Sequence, residues 1–245
     1  MPFDRLVVFG DSLSDMGNGG RFSNGPVWVE QIAEALGAEL RESKSGGHNF
    51  SVGGAQIEVG PQSLRAQVNQ YLGQTLPDGT VLHVVWGGAN DIFAALWQPD
   101  DLSQLNAAAV SLKGILSDLV DAGSCHVLLA NVPDVGMTPE IRRQGAKVMV
   151  QARQLTQHFN DAIDDLLADF AWSSGDSLYR LDVAAMAERA RKDPGSFGFT
   201  NITSPCPEAA RCAEYLFWDD IHPTTVAHAR LAEAAIQLVG GRGKL

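Results

Sequence analysis

The stretch "RLVVFGDSLSDMGN", Arg5 to Asn18, decides how this chain folds. Its apolar run stops at Gly10, and Asp11, Ser12 and Ser14 follow almost at once. Branched and aliphatic residues without polar alternation mark a strand buried on both faces, as in a parallel sheet. In open sheets of that kind, sites form beyond the carboxyl ends of the strands, where strand order reverses. A serine at this place is either a cap for the next turn or helix or a hydroxyl held at a sheet edge for chemistry.

Further short apolar runs follow at Asn49 to Val52, Val81 to Trp86, His126 to Asn131 and Leu178 to Val183. Helical periodicity fills the gaps between them. "PVWVEQIAEALG" and "PQSLRAQVNQYLG" each open near a proline and close on a glycine, the usual asymmetry of a helix. Longer amphipathic segments cover Leu102 to Ala122, Gly145 to Phe170 and Thr224 to Val239. Strands alternating with helices predict a three-layer α/β/α sandwich around a five-stranded parallel sheet. No repeat or linker divides residues 1–245, which read as one domain. The segment from Asp193 to Asp220, rich in Pro and Gly, reads as one long irregular loop, and such loops are often functional.

The chain has 245 residues, 45% of them hydrophobic and 19% charged, with a formal net charge of −11. Its length allows a sizeable core without staples. The acidic balance, with no Lys/Arg cluster to offset it, argues against nucleic acid as a partner and against adsorption to anionic lipid. No apolar run is long enough for a transmembrane helix, so no stable membrane insertion is expected. The first strand begins too early for a signal peptide to precede it, which fits a cytoplasmic protein or a processed one. In "CPEAARC", Cys206 and Cys212 are close enough to pair; a bridge there would favour an exported mature chain, and free thiols the cytoplasm. Cys125 heads an apolar run and reads as a buried thiol. Oligomeric state and compartment are not written in these features.

Four clusters at strand ends could carry chemistry. The first is Asp11–Ser12. The second is "HNFSVGGAQ", where Gly53 and Gly54 offer unobstructed backbone N–H groups or simply a turn. The third is "HVVWGGANDIF", where Asn90 is a fixed amide donor for developing negative charge or a helix cap. The fourth is "FWDDIHPTT", in which Asp219 stands three residues before His222. One turn can bring that carboxylate to the imidazole Nδ1 and leave Nε2 facing a hydroxyl; alone, the pair could also be half of a metal site. Together the clusters hold a nucleophile, a base, its orienter and oxyanion donors, the parts that acyl transfer needs.

The blocks "FGDSLSD", "NFSVGGA", "GGANDIF" and "WDDIHPT" closely resemble the four consensus blocks of the GDSL, or SGNH, esterases and lipases, in that family's order. "GRFSNGPVWVEQIA" also resembles the segment after the first block in the plant and bacterial lipase branch. The resemblance implies a flavodoxin-like sandwich with Ser12 as nucleophile, His222 as base and Asp219 as its partner. It implies an oxyanion hole from the Ser12 N–H, the Gly54 N–H (rather than that of Gly53) and the Asn90 side chain. It further implies a small-molecule ester or lipid substrate and no cofactor. A hydrolase nucleophile elbow is disfavoured because Ser14 stands where its last glycine would be. No dinucleotide fingerprint follows the first strand, and the Gly-Lys pair of "GGRGKL" lacks the rest of a phosphate loop.

Asp15 and Asn18 read as turn-forming or loop-organising residues. Trp28, Phe93, Trp97 and Phe217 lie near the site in sequence terms and read as core or as contacts for an acyl chain. The remaining histidines lack partners at metal spacing, so no metal is expected. Two other classes remain: a metal-dependent phosphoesterase using Asp11, Asp219 and His222, and a non-catalytic binding module. Within serine chemistry, thioesterase and acyltransferase activities would use the same parts.

Overall fold

A computed structural model describes residues 3–98, 101–168, 170, 177–207 and 212–242. The end of "GGRGKL", residues 243–245, lies outside the described residues. The main sheet holds β1 (Arg5–Gly10), β2 (Val81–Trp86), β3 (His126–Ala130) and β4 (Ser177–Leu181), side by side in that order and all parallel. The expected fifth strand is reduced to an edge segment. Asn49–Val52 runs along the free side of β1, with the Val8 N–H on the His48 carbonyl at 2.9 Å and the Phe50 N–H on the Val8 carbonyl at 2.8 Å. Only Asn49 forms a bridge there, opposite Val8. The cause is local: the segment's outer backbone atoms are taken by the loop after β1, where the Asn18 amide donates to the Asn49 and Ser51 carbonyls at 2.7 and 3.0 Å.

Chain order therefore runs outward one way from β1 to 49–52, and the other way from β1 to β2, β3 and β4. The reversal lies between β1 and β2, so a crevice opens at their carboxyl ends. Side chains alternate across the sheet. Val7, Phe9, Val85, Val127 and Leu129 face one core, covered by α2 (Leu64–Leu72), α3 (Ala89–Ala95), α4 (Ser103–Asp121) and α6 (Ala146–Ala168). Leu6, Val8, Val84, Trp86 and Leu128 face the other, covered by α1 (Trp28–Leu36), α7 (Val183–Lys192) and α8 (Thr225–Gln237). The helices follow from their patterns. α6 buries Ala152, Leu155, Thr156, Phe159, Ile163 and Leu167 at three- and four-residue steps. Thr224 caps α8 by accepting the Ala227 N–H at 3.2 Å.

Three details differ from the sequence reading. The fourth strand stops at Leu181, because Asp182 accepts the Ala185 N–H at 2.9 Å and starts α7, a helix not anticipated there. The segment after Asp193 is not wholly irregular: β5 (Asn201–Pro205) and β6 (Tyr215–Phe217) pair as a small two-stranded ribbon. Cys206 and Cys212 are joined in a disulfide across the connection between them. Cys125, expected to be buried, is exposed, because it precedes β3 at the amino edge of the sheet rather than entering it. A short α5 (Pro139–Arg143) completes the described helices named here.

Candidate active site

The loops at the carboxyl edge bring the four sequence clusters together. Ser12 follows β1 in a turn closed by the Ser14 N–H on the Asp11 carbonyl at 3.1 Å. Of the turn or helix that the sequence allowed after Ser12, the structure shows the turn, and it presents the hydroxyl. Gly10, at the strand's end, has its N–H and carbonyl both satisfied by the Gln67 side chain of α2, at 2.9 Å each. The carbonyl also accepts the Val52 N–H at 3.2 Å, but among the described residues the Gly10 N–H has only Gln67, and leaving it buried and unpaired would cost about 1–3 kcal/mol.

His222 lies in the turn between β6 and α8. Its Nε2 is 3.0 Å from the Ser12 Oγ, although the two residues are 210 apart in the chain. Its Nδ1 is 2.7 Å from Asp219 Oδ2. A carboxylate only accepts, so Nδ1 carries the proton and Nε2 is left as acceptor for the serine hydroxyl. Asp219 Oδ1 accepts the Ile221 and His222 backbone N–H groups at 2.8 and 2.6 Å. Burial is the largest influence on Asp219 and pushes its carboxyl up. The His222 side chain and the two backbone donors together outweigh it and hold the group below the usual carboxylate range. The ring of Phe22 packs on the imidazole, with centroids 5.1 Å apart.

Gly54 sits on the loop after the edge segment with φ of +80°, a left-handed conformation suited to glycine. Its N–H has no acceptor among the described residues and borders the same cleft as Ser12. Gly53 is spent elsewhere: its N–H goes to Asp15 Oδ2 at 2.9 Å. Asn90 lies in the first turn of α3, and its Nδ2 donates to the Ala55 carbonyl at 2.9 Å. An amide nitrogen carries two hydrogens, so one remains for the cleft that Asn90 lines.

Two buried carboxylates grip this glycine loop; Asp15 organises its own loop as the sequence allowed, but its reach to Gly53 and the role of Asp91 were not legible there. Asp15 accepts the N–H groups of Gly17, Asn18 and Gly19 at 2.8, 2.7 and 2.9 Å as well as that of Gly53. Asp91, beside Asn90, accepts the Ile57 N–H at 3.1 Å. Burial pushes Asp91 up to about 7, against the Ile57 N–H that favours its charge. Asp11 is likewise raised by burial to about 6, with the Leu13 N–H opposing. Asp11 Oδ1 takes that N–H at 3.0 Å. Among the described residues, no group of three or more His, Cys, Asp or Glu side chains could hold a metal.

The carboxyl edge of the sheet opens into a cleft of about 370 Å³ lined by Ser12, Gly54, Asn90 and His222. Phe93 and Phe217 line it, as the sequence reading allowed. Trp28 does not: it is buried in the core, edge-on to Trp86 at 5.2 Å, with its indole N–H on Ser14 Oγ at 3.0 Å. Its place on the inner face of α1 explains the difference. Trp97 is exposed and is not part of the lining. Part of the wall comes from α7 and from Leu216 and Phe217 of β6, elements the sequence reading did not resolve.

Comparison with known proteins agrees with this architecture. The family model described as GDSL-like Lipase/Acylhydrolase matches residues 6–235. A phosphatidylcholine-sterol acyltransferase of Aeromonas hydrophila is 28% identical, over 97% of this chain and 90% of that protein. Lipase 1 of Photorhabdus luminescens is also 28% identical, over 97% of this chain but only 50% of its own length. The chain thus spans about half the length of that relative. Among solved structures, an acetylxylan esterase from Geobacillus stearothermophilus superposes with a TM-score of 0.59 at 16% identity, over 98% of this chain and 97% of that one. With the family model covering nearly the whole chain, the protein belongs to the GDSL-like lipase/acylhydrolase family.

Proposed function

We propose that Ser12 is the nucleophile of a two-step ester hydrolysis, with His222 as general base and then acid, and Asp219 as the group that orients and stabilises the imidazolium. The observation that carries this reading is the continuous line Ser12 Oγ–His222 Nε2 and His222 Nδ1–Asp219 Oδ2, at 3.0 and 2.7 Å. The chain is a carboxylic ester hydrolase of its family, and small-molecule esters or lipids are its substrates. In the first step the serine oxygen bonds to the ester carbonyl carbon while its proton passes to Nε2. The Ser12 and Gly54 N–H groups and the Asn90 amide receive the charge that develops on the carbonyl oxygen. Nε2 then protonates the departing alcohol, and water repeats the sequence on the acyl-enzyme.

The test is Ser12→Ala assayed with nitrophenyl acetate, beside labelling of Ser12 by an organophosphate. Turnover should fall by several powers of ten and labelling should vanish. A variant that hydrolysed the ester at the wild-type rate would overturn the assignment. The Cys206–Cys212 bridge favours an oxidising compartment as the place where the protein works.

A further inference from the structure

The cleft extends well beyond the reacting atoms. One arm reaches the inner faces of α7 and α8 and is walled by Val183, Met186, Ala187, Ala190, Phe199 and Leu231. The charged side chains on the lining are already engaged. Arg230 donates to the Phe197 carbonyl at 3.2 Å and to both carboxylate oxygens of Glu233 at 3.0 Å. Asp134 accepts from Arg153 and from the Gly136 N–H at 2.7 and 2.8 Å. The arm therefore offers apolar wall and little free hydrogen-bonding capacity, which suits an alkyl chain and not the hydroxyls of a sugar.

We propose that this arm is an acyl-chain site, and that the preferred substrates are esters of medium-chain fatty acyl groups rather than acetylated carbohydrates. The inference rests on the serine-hydrolase reading above. The whole cleft, at about 370 Å³, has room for roughly a dozen waters. A methylene is about as large as a water, so a chain of roughly ten carbons running from a carbonyl at Ser12 into this arm is about the most the cleft holds. The acyl chain, not the alcohol, is the better occupant. It is held on Ser12 from the acyl-enzyme until water releases it, and its burial favours the acylation transition state over free enzyme and ester, raising kcat/KM, whereas the alcohol leaves after the first half-reaction.

The experiment uses nitrophenyl esters with acyl chains of about two to sixteen carbons, kept below aggregation, beside alkyl acetates of matched length. For wild type, kcat/KM should rise about fourfold per acyl methylene and level off near ten carbons. Ala187→Phe narrows the arm and should lower the decanoate-to-acetate ratio at least about tenfold. Met186→Ala widens it and should move the plateau to longer chains, which keeps the test intact if the first variant does not fold. Equal turnover of acetate and decanoate would overturn the proposal. So would a rise that follows the alcohol chain, or plateaus that neither variant moves. In each of those cases Ser12-dependent acetate hydrolysis would leave the serine-hydrolase reading standing. Loss of all Ser12-dependent turnover would instead defeat that reading itself.

Discussion

Replacing Asp219 by Asn tests the acid–base half of the site, because the structure dictates which way the new amide must face. Asp219 Oδ1 holds two backbone N–H groups, from Ile221 and His222, at 2.8 and 2.6 Å. An NH2 in that place would confront two donors, so the amide oxygen keeps that position and its NH2 turns to the imidazole. Nδ1 must then accept, and the ring proton moves to Nε2, opposite the Ser12 hydroxyl. The ring can no longer take the serine's proton. The corresponding change in serine proteases lowers kcat by about 10⁴. The Asp219 side chain is 41% exposed, so water can help restore the productive tautomer. We therefore expect a kcat loss of about 10³–10⁴, or roughly 4–5 kcal/mol in the barrier. Steady-state hydrolysis of nitrophenyl acetate near neutral pH measures it, with a thermal melt to show that the variant is folded. A folded Asp219→Asn enzyme within tenfold of wild type would refute the tautomer argument.

Other outcomes follow from the oxyanion side. Asn90→Ala should lower kcat by about 10²–10³ with little change in KM, since its donor acts chiefly on charge formed in the transition state; an equal rise in KM would point to ground-state binding instead. Asp15→Asn must set an NH2 against one pair of its four backbone donors, and kinetics should show kcat falling roughly ten- to a hundredfold as the Gly53–Gly54 loop shifts. For Asp91 the sign is fixed by burial. Its carboxyl rises from 3.8 to about 7 on folding, so the stability it lends is fully present only below about 4, falls as pH climbs from there, and is gone once pH passes about 7. Asp91→Asn, neutral throughout, should melt higher than wild type near pH 8, by a smaller margin near pH 5, and without that gain below about pH 4; thermal unfolding across that range checks it.

The layered fold and the meeting of Ser12, Gly54, Asn90, Asp219 and His222 at one edge were legible because both announce themselves locally. Val7–Phe9, Val84–Val85 and Val127–Leu129 are short apolar runs whose only stable home is a covered parallel sheet. Ser12, Gly54, Asn90 and Asp219–His222 each stand within a few residues of a strand end or turn, so their convergence followed from topology. Asn49–Val52 met less success, since its pairing depends on how Asn18 and Ser14 claim its far side. The helix at Val183–Lys192 had a signal in "DVAAMAERARK", an Asp cap before alanine-rich sequence, but Val183 was counted with the strand. Asp15 and Asp91 looked like ordinary loop acids. Their grip on the glycine loop spans 38 and 34 residues of chain, a separation that no local pattern encodes. The same holds for the cleft, whose wall is assembled from the 132–138 segment, α7, β6 and α8 only after they pack.

Ser12 and His222 stand at opposite ends of the sequence, and the contacts that unite them are equally remote. Helix α1 lies against α8. The Ser23 hydroxyl donates to the Pro223 carbonyl at 3.0 Å, and the Thr225 N–H to the Asn24 side chain at 2.8 Å. On the proposed reading, Ser12 and its base are brought within reach only where the segments around Ser23–Asn24 and Pro223–Thr225 are joined, so a simple rate assay doubles as a gauge of how many molecules carry that long-range junction intact.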